Sequence, residues 1–170
     1  MIRCLLAFTL LLAPVARPAL AENTTPAAAL ATSQGEDLLQ AAYATCLSLG
    51  GAGNQATEAF RAAGWDVATD DEAGFSEIAG PEEIYALTWS DGGYCLVQSE
   101  TIGSDRAAAL LSAVIAAAGQ TAVEETGEDG CLSFDLQEDG LRAEVTSSGN
   151  DPVCTPADTS GVSFMWAQTE

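Results

Sequence analysis

Ile84-Tyr85-Ala86-Leu87-Thr88-Trp89-Ser90-Asp91-Gly92-Gly93-Tyr94-Cys95-Leu96-Val97-Gln98-Ser99 is the stretch that decides the fold. Two apolar runs, 84–89 and 94–99, flank Ser90-Asp91-Gly92-Gly93. Asp-Gly and Gly-Gly steps admit the positive φ angles of tight hairpin turns, so the stretch predicts two antiparallel strands. Alternation puts Tyr85, Leu87 and Trp89 on one side of the first strand and Ile84, Ala86 and Thr88 on the other. Both sides are fairly apolar, which predicts a central strand covered on both faces, with Trp89 in the core.

The same pattern continues toward the C-terminus. Leu132, Phe134 and Leu136 alternate with Ser133, Asp135 and Gln137, the mark of a sheet with one wet face. Glu138-Asp139-Gly140 turns the chain, after which Leu141, Ala143 and Val145 face inward and Arg142, Glu144 and Thr146 outward. A loop with Asn150, Asp151, Pro152 and Pro156 leads to a last strand over 162–167, where Val162, Phe164 and Trp166 share the core side. A shorter strand is expected over 121–125. Before it, Ser104 is placed to cap a helix through Leu110, Leu111, Val114 and Ile115, closed by Gly119.

On the N-terminal side, Ser33 and Glu36 match a capping box. They open a helix through Leu38, Leu39, Ala42, Tyr43, Cys46 and Leu49 that ends at Gly50-Gly51. Asn54 is placed to cap a second, short helix through Ala56, Ala59, Phe60 and Ala63, stopped by Gly64. Trp65-Asp66-Val67 reads as a short strand, followed by an acidic loop over 69–72 and an unassigned stretch to Pro81. Residues 22–32 show little periodicity and read as a flexible lead-in. The length of 170 residues fits one domain, over 33–170.

These elements predict an α+β fold: an antiparallel β-sheet with helices packed on one face, in helix–strands–helix–strands order. A weak two-fold internal repeat is suggested, though alanine-rich stretches align by chance and the architecture does not require it. Arg61-Ala62-Ala63-Gly64 aligns with Ala116-Ala117-Ala118-Gly119, and each is followed by a short strand and a hairpin turning on an Asp-Gly step. The order is similar to that of small acidic chaperone-like folds, a likeness of architecture alone that implies no activity.

Residues 1–21 read as a cleaved signal peptide. Arg3 begins it, an apolar run follows from Cys4 to Ala13, and Ala19-Leu20-Ala21 fits the small-residue cleavage pattern. The run is shorter than the roughly 20 residues of a spanning helix, so no membrane insertion is expected after cleavage. The expected location is periplasmic or secreted. With 25 acidic residues, five arginines and neither Lys nor His, the formal charge is −20. Cleavage removes Arg3 and Arg17 and no acid, which takes it to −22. Such a field repels phosphate backbones, so nucleic acid is excluded as a partner; the acidity reads first as a device for solubility, with attraction to a cationic protein or a divalent metal as the sharper alternative.

Export also decides the reading of the cysteines. Cys46, Cys95, Cys131 and Cys154 remain after cleavage, an even count that predicts two disulfides in an oxidising compartment. Cys131 opens a strand and Cys154 follows that strand's hairpin partner at the same end of the sheet. Cys46 lies on the inner face of its helix above the strand of Cys95. The expected pairs are Cys46–Cys95 and Cys131–Cys154.

Without His, the Ser-His-Asp and Cys-His mechanisms and His-ligated zinc are ruled out. Without Lys, so are Schiff bases and Ser-Lys dyads. Gly50-Gly51-Ala52-Gly53 precedes a helix but lacks the lysine of a phosphate loop and reads as a flexible turn. No residue is assigned a catalytic, cofactor or metal role. Two acidic runs, Asp66, Asp70, Asp71 and Glu72, and Glu124, Glu125, Glu128 and Asp129, are the candidates for calcium, though neither has the spacing of a calcium loop. Arg61, Arg106 and Arg142 are expected in surface ion pairs. The favoured function is a non-catalytic binding module, a first specific version of which binds a cationic envelope protein. The alternative is a carboxylate-dependent hydrolase of envelope glycans, which needs a deep cleft with two facing acids.

Overall fold

Eight strands form a single antiparallel sheet in the computed structural model, which describes residues 25–136, 140–147, 154 and 157–167. The expected signal peptide at residues 1–21, residues 22–24 of the expected lead-in, the 138–139 part of the second turn and the loop of Asn150, Asp151, Pro152 and Pro156 lie outside the described residues. In chain order the elements are α1 (Pro26–Thr32), α2 (Gly35–Leu49), α3 (Gln55–Ala62), β1 (Asp66–Asp70), β2 (Phe75–Ala79), β3 (Ile84–Trp89), β4 (Tyr94–Ser99), α4 (Ser104–Ala117), β5 (Ala122–Thr126), β6 (Leu132–Leu136), β7 (Leu141–Thr146) and β8 (Ser160–Trp166).

The strand order is β1-β2-β3-β4-β8-β7-β6-β5. Each half of the chain is a four-stranded meander, and the two meet along β4 and β8, where Cys95 opposes Phe164 and Val97 opposes Val162. The helices lie on one face of this sheet. Its core is built from Leu38, Leu39, Tyr43 and Cys46 of α2, Phe60 of α3, Leu111 of α4, and the strand residues Val97, Val162 and Phe164, all fully buried. Burying each large side chain contributes about 1.5–3 kcal/mol. Thr57 on α3 and Thr88 on β3 satisfy one another at 2.6 Å inside this layer.

Both expected disulfides are present, Cys46–Cys95 with Cα atoms 5.7 Å apart and Cys131–Cys154 with 4.7 Å. The 84–99 hairpin has the expected bounds. Gly64 and Gly119 follow α3 and α4 with φ of +87° and +72°, the left-handed backbone that glycine adopts without strain.

Several expectations are corrected. Residues 26–32 are a helix, α1, not a flexible lead-in. Pro26 occupies its first turn, the Thr25 hydroxyl accepts from the Ala28 N–H at 3.4 Å, and Leu30 is buried. Ser33 ends α1 rather than opening α2, and α2 begins at Gly35 with no side-chain cap at Gln34. Glu36 turns instead to Arg106 of α4, whose Nε donates to it at 2.7 Å. Asn54 precedes α3 without making a side-chain cap bond. The unassigned stretch before Pro81 contains β2, and β1 runs through Thr69 and Asp70 into the expected loop. β3 is covered on one face only: Trp89 and Tyr85 are 46% and 41% exposed, so Trp89 is not a core residue.

Candidate functional site

Strand alternation divides the sheet into a face under the helices and a face that no described helix covers. Ile84, Ala86 and Thr88 are buried beneath the helices, which turns Tyr85, Leu87 and Trp89 to the open side. The register carries that side across the sheet. One row runs Asp70, Phe75, Trp89, Tyr94, Met165, Arg142, Asp135 and Val123, and the next runs Ala68, Glu77, Leu87, Leu96, Ser163, Glu144, Ser133 and Glu125.

The rows are apolar and aromatic over β2–β4 and polar over β5–β7. Trp89 and Tyr94 stack with ring centroids 5.2 Å apart and planes tilted by 34°. The Tyr94 hydroxyl lies 3.3 Å from that of Ser163, which carries its ring across the sheet. Burial raises the Tyr94 pKa against the opposing effect of that hydrogen bond.

Beside the aromatic row, the open face is hollowed over β1–β4. Ala68 and Ala79 are short side chains on neighbouring strands, while Tyr85, Leu87 and Gln98 rise on one side and Asp66 and Glu77 on the other. The hollow is a shallow groove of about 330 Å³. Asp66 and Glu77 are both exposed to water. The groove is open and shallow, not the deep cleft a glycan hydrolase requires.

The arginines of the described residues are engaged elsewhere. Arg61 pairs with Glu58, Arg106 with Glu36, and Arg142 with Asp135 and Glu144 at 3.4 and 3.7 Å. The Arg106 guanidinium holds the Glu36 carboxyl below its ordinary range. All four contacts are at least partly exposed and screened by water, so they add little to stability. Asp66 and Glu77 meet no cation among the described residues.

The two candidate calcium runs do not converge. The Asp70 carboxylate accepts from the Glu72 and Ala73 N–H groups at 3.0 and 2.9 Å and so closes its own turn. Glu124 and Glu125 are neighbours on β5 and point to opposite faces. Asp129 accepts from the Cys131 N–H at 3.0 Å. Among the described residues, the one set of three ligand-type atoms within 4.8 Å joins Asp129 to the sulfurs of Cys131 and Cys154, which are bonded to each other.

The glycine turn after α2 is also corrected, from a flexible link to a packed seat. The Trp166 indole lies directly on Gly50 and Gly51, where added Cβ atoms would stand 2.5 and 2.9 Å from it, next to Cys95. Gly92 of the β3–β4 turn rests on the same segment, 2.8 Å from the Gly51 carbonyl oxygen by the same measure.

The open aromatic face was missed because both sides of 84–89 are apolar, so periodicity located two faces without saying which one the helices cover. The absence of a matching apolar helix for the Tyr85 side was the signal available. Comparison with known proteins finds no matching family, no matching curated protein and no matching solved structure.

Proposed function

We propose that the protein is a non-catalytic binding module that docks a cationic protein on the open face of its sheet, outside the cytoplasm. The observation that carries this is the row of Phe75, Trp89 and Tyr94 on a face left bare by the helices, with Trp89 and Tyr85 standing in water. Large exposed aromatics grouped on one face mark interaction surfaces, because leaving them in water costs the apolar free energy that docking recovers.

The formal charge of −20 selects the partner's sign: it attracts basic surfaces and opposes nucleic acids and anionic lipids. Two disulfides fit a protein that matures outside the reducing cytosol. With the leader expected at residues 1–21, the finer location is periplasmic or secreted. No helix of the described residues is long and apolar enough to cross a membrane.

The test is capture from the exported fraction of the native host at low salt, beside a Trp89→Ala/Tyr85→Ala variant. One or a few basic proteins should be retained by the native face, lost with the variant, and eluted progressively as ionic strength rises. Retention unchanged by the variant, or nothing above background, would sink the proposal.

A further inference from the structure

We infer that the groove over β1–β4 receives an arginine side chain of the partner, a deepening that rests on the binding function proposed above. Three features converge there. The floor of Ala68 and Ala79 leaves room for one long side chain. Tyr85 and Leu87 form an apolar wall on which the stem and the flat guanidinium can lie. Asp66 stands opposite that wall across Ala79, and Glu77 stands beside it as the cross-strand neighbour of Leu87.

The register fixes their spacing. Asp66 pairs with Ala79 and Ala79 with Tyr85, so acid and ring face each other across the alanine. Glu77 is diagonal to both, about 7–8 Å away by strand geometry. A guanidinium centred between them presents a donor fork to the carboxylates while its plane stacks on the tyrosine. A lysine ammonium has no such plane and is more strongly hydrated.

The charge argument is local as well as global. Every arginine of the described residues is committed to another carboxylate, so the chain does not itself neutralise Asp66 and Glu77. A second copy of the chain is the poorer occupant. Face-to-face pairing would bring together two bodies of charge −20, with no spare cation among the described residues of either face.

The experiment uses three synthetic peptides of one sequence, leucine alternating with arginine, with lysine or with neutral citrulline, titrated into isotopically labelled protein at low salt. The arginine peptide should bind, move amide resonances across 66–79 and 85–98, and shift the Trp89 emission. The lysine peptide should bind severalfold more weakly and the citrulline peptide about tenfold more weakly, as the loss of charge-assisted contacts implies. Glu77→Gln and Tyr85→Ala should each weaken the arginine peptide about threefold to fivefold. Glu125→Gln, in the same row at the far edge, should leave it unchanged.

Equal binding of the citrulline peptide overturns the inference, as does a perturbed region on the helices or on β5–β7. In either case docking itself would survive, because it is judged separately by the Trp89→Ala/Tyr85→Ala capture. No binding of any peptide also overturns the arginine assignment. So does a dimer in sedimentation that Trp89→Glu dissociates, which would give the face to a second copy.

Discussion

Glu82 and Glu83 both hold left-handed backbone, at φ of +58° and +57°, in the turn from β2 to β3. Ile84 N–H donates to the Pro81 carbonyl across it at 3.2 Å. Paired left-handed residues define a type I′ turn, where Asn-Gly is the usual choice and a longer side chain costs about 1 kcal/mol per residue. Glu82 offsets its share: its carboxylate accepts from the Gly35 N–H at 2.7 Å and serves one of the orphan donors that start α2. No such bond is found for Glu83. Glu83→Gly is therefore expected to stabilise the protein by about 1 kcal/mol in urea unfolding, while Glu82→Gly should be near neutral. Tyr43 gives a second prediction at this scale. Its hydroxyl is fully buried and has no partner in hydrogen-bonding geometry among the described residues. Burial raises its pKa, and Ser160 is close enough only to moderate that effect. The folded-state pKa lies above the unfolded one, so the phenol favours folding fully below about pH 10 and loses that contribution as pH climbs further. Tyr43→Phe should be neutral to slightly stabilising at pH 7 and should unfold less readily than the native chain above pH 10, measured by denaturant titration at both pH values.

Elements announced by local chemistry were legible, and those held by remote contacts were not. Asp91-Gly92 prescribes its hairpin through the backbone, so β3 and β4 could be bounded from the residues alone. Both disulfides followed because each cysteine's place on a helix face or strand end was already implied. α1 was harder, since only Leu30 in an alanine-rich run goes into the core, and one leucine makes no period. The Thr25-Pro26 pair was its one readable signal, a cap followed by proline in the first turn. β2 was hidden because its regular alternation buries Ser76 with Ile78 and exposes Ala79 with Glu77, so polarity does not follow burial, and the open aromatic face was hidden by apolar residues on both sides of β3. The seat of Trp166 on Gly50-Gly51 joins segments more than 100 residues apart, which spacing does not reveal. It also makes a prediction whose sign is informative. Gly50 has φ of −65°, a backbone that alanine adopts freely, so Gly50→Ala would ordinarily stabilise by about 0.4–1 kcal/mol. With the indole 2.5 Å from the new Cβ, it should instead destabilise by about 1–3 kcal/mol and alter the near-ultraviolet signal of Trp166. A gain in stability would show that the indole does not lie where the fold places it.

At the scale of the whole molecule, two meanders joined along β4 and β8 place the aromatic surface in one half of the sheet and an acidic, polar surface in the other. The helices of the two halves differ among the described residues: three precede the first meander and one precedes the second. A chain of this charge folds against its own repulsion. At 0.01 M salt the screening length is about 30 Å, enough for carboxylates on opposite edges to interact, whereas at 0.15 M it is about 8 Å. The salt bridges weaken on the same change, but they are few and exposed, so the relief of repulsion dominates. The melting temperature should therefore rise from 0.01 to 0.15 M sodium chloride. The acidic runs at 66–72 and 124–129 turn their carboxylates to separate faces or spend them on their own turns, so neither gathers the several oxygens a hard cation needs. Calcium chloride at matched ionic strength should then raise the melting temperature no further than magnesium chloride does. A saturable increase specific to calcium would mean that acids drawn apart in this fold come together around an ion. The acidity would then serve ligation as well as attraction of a basic partner.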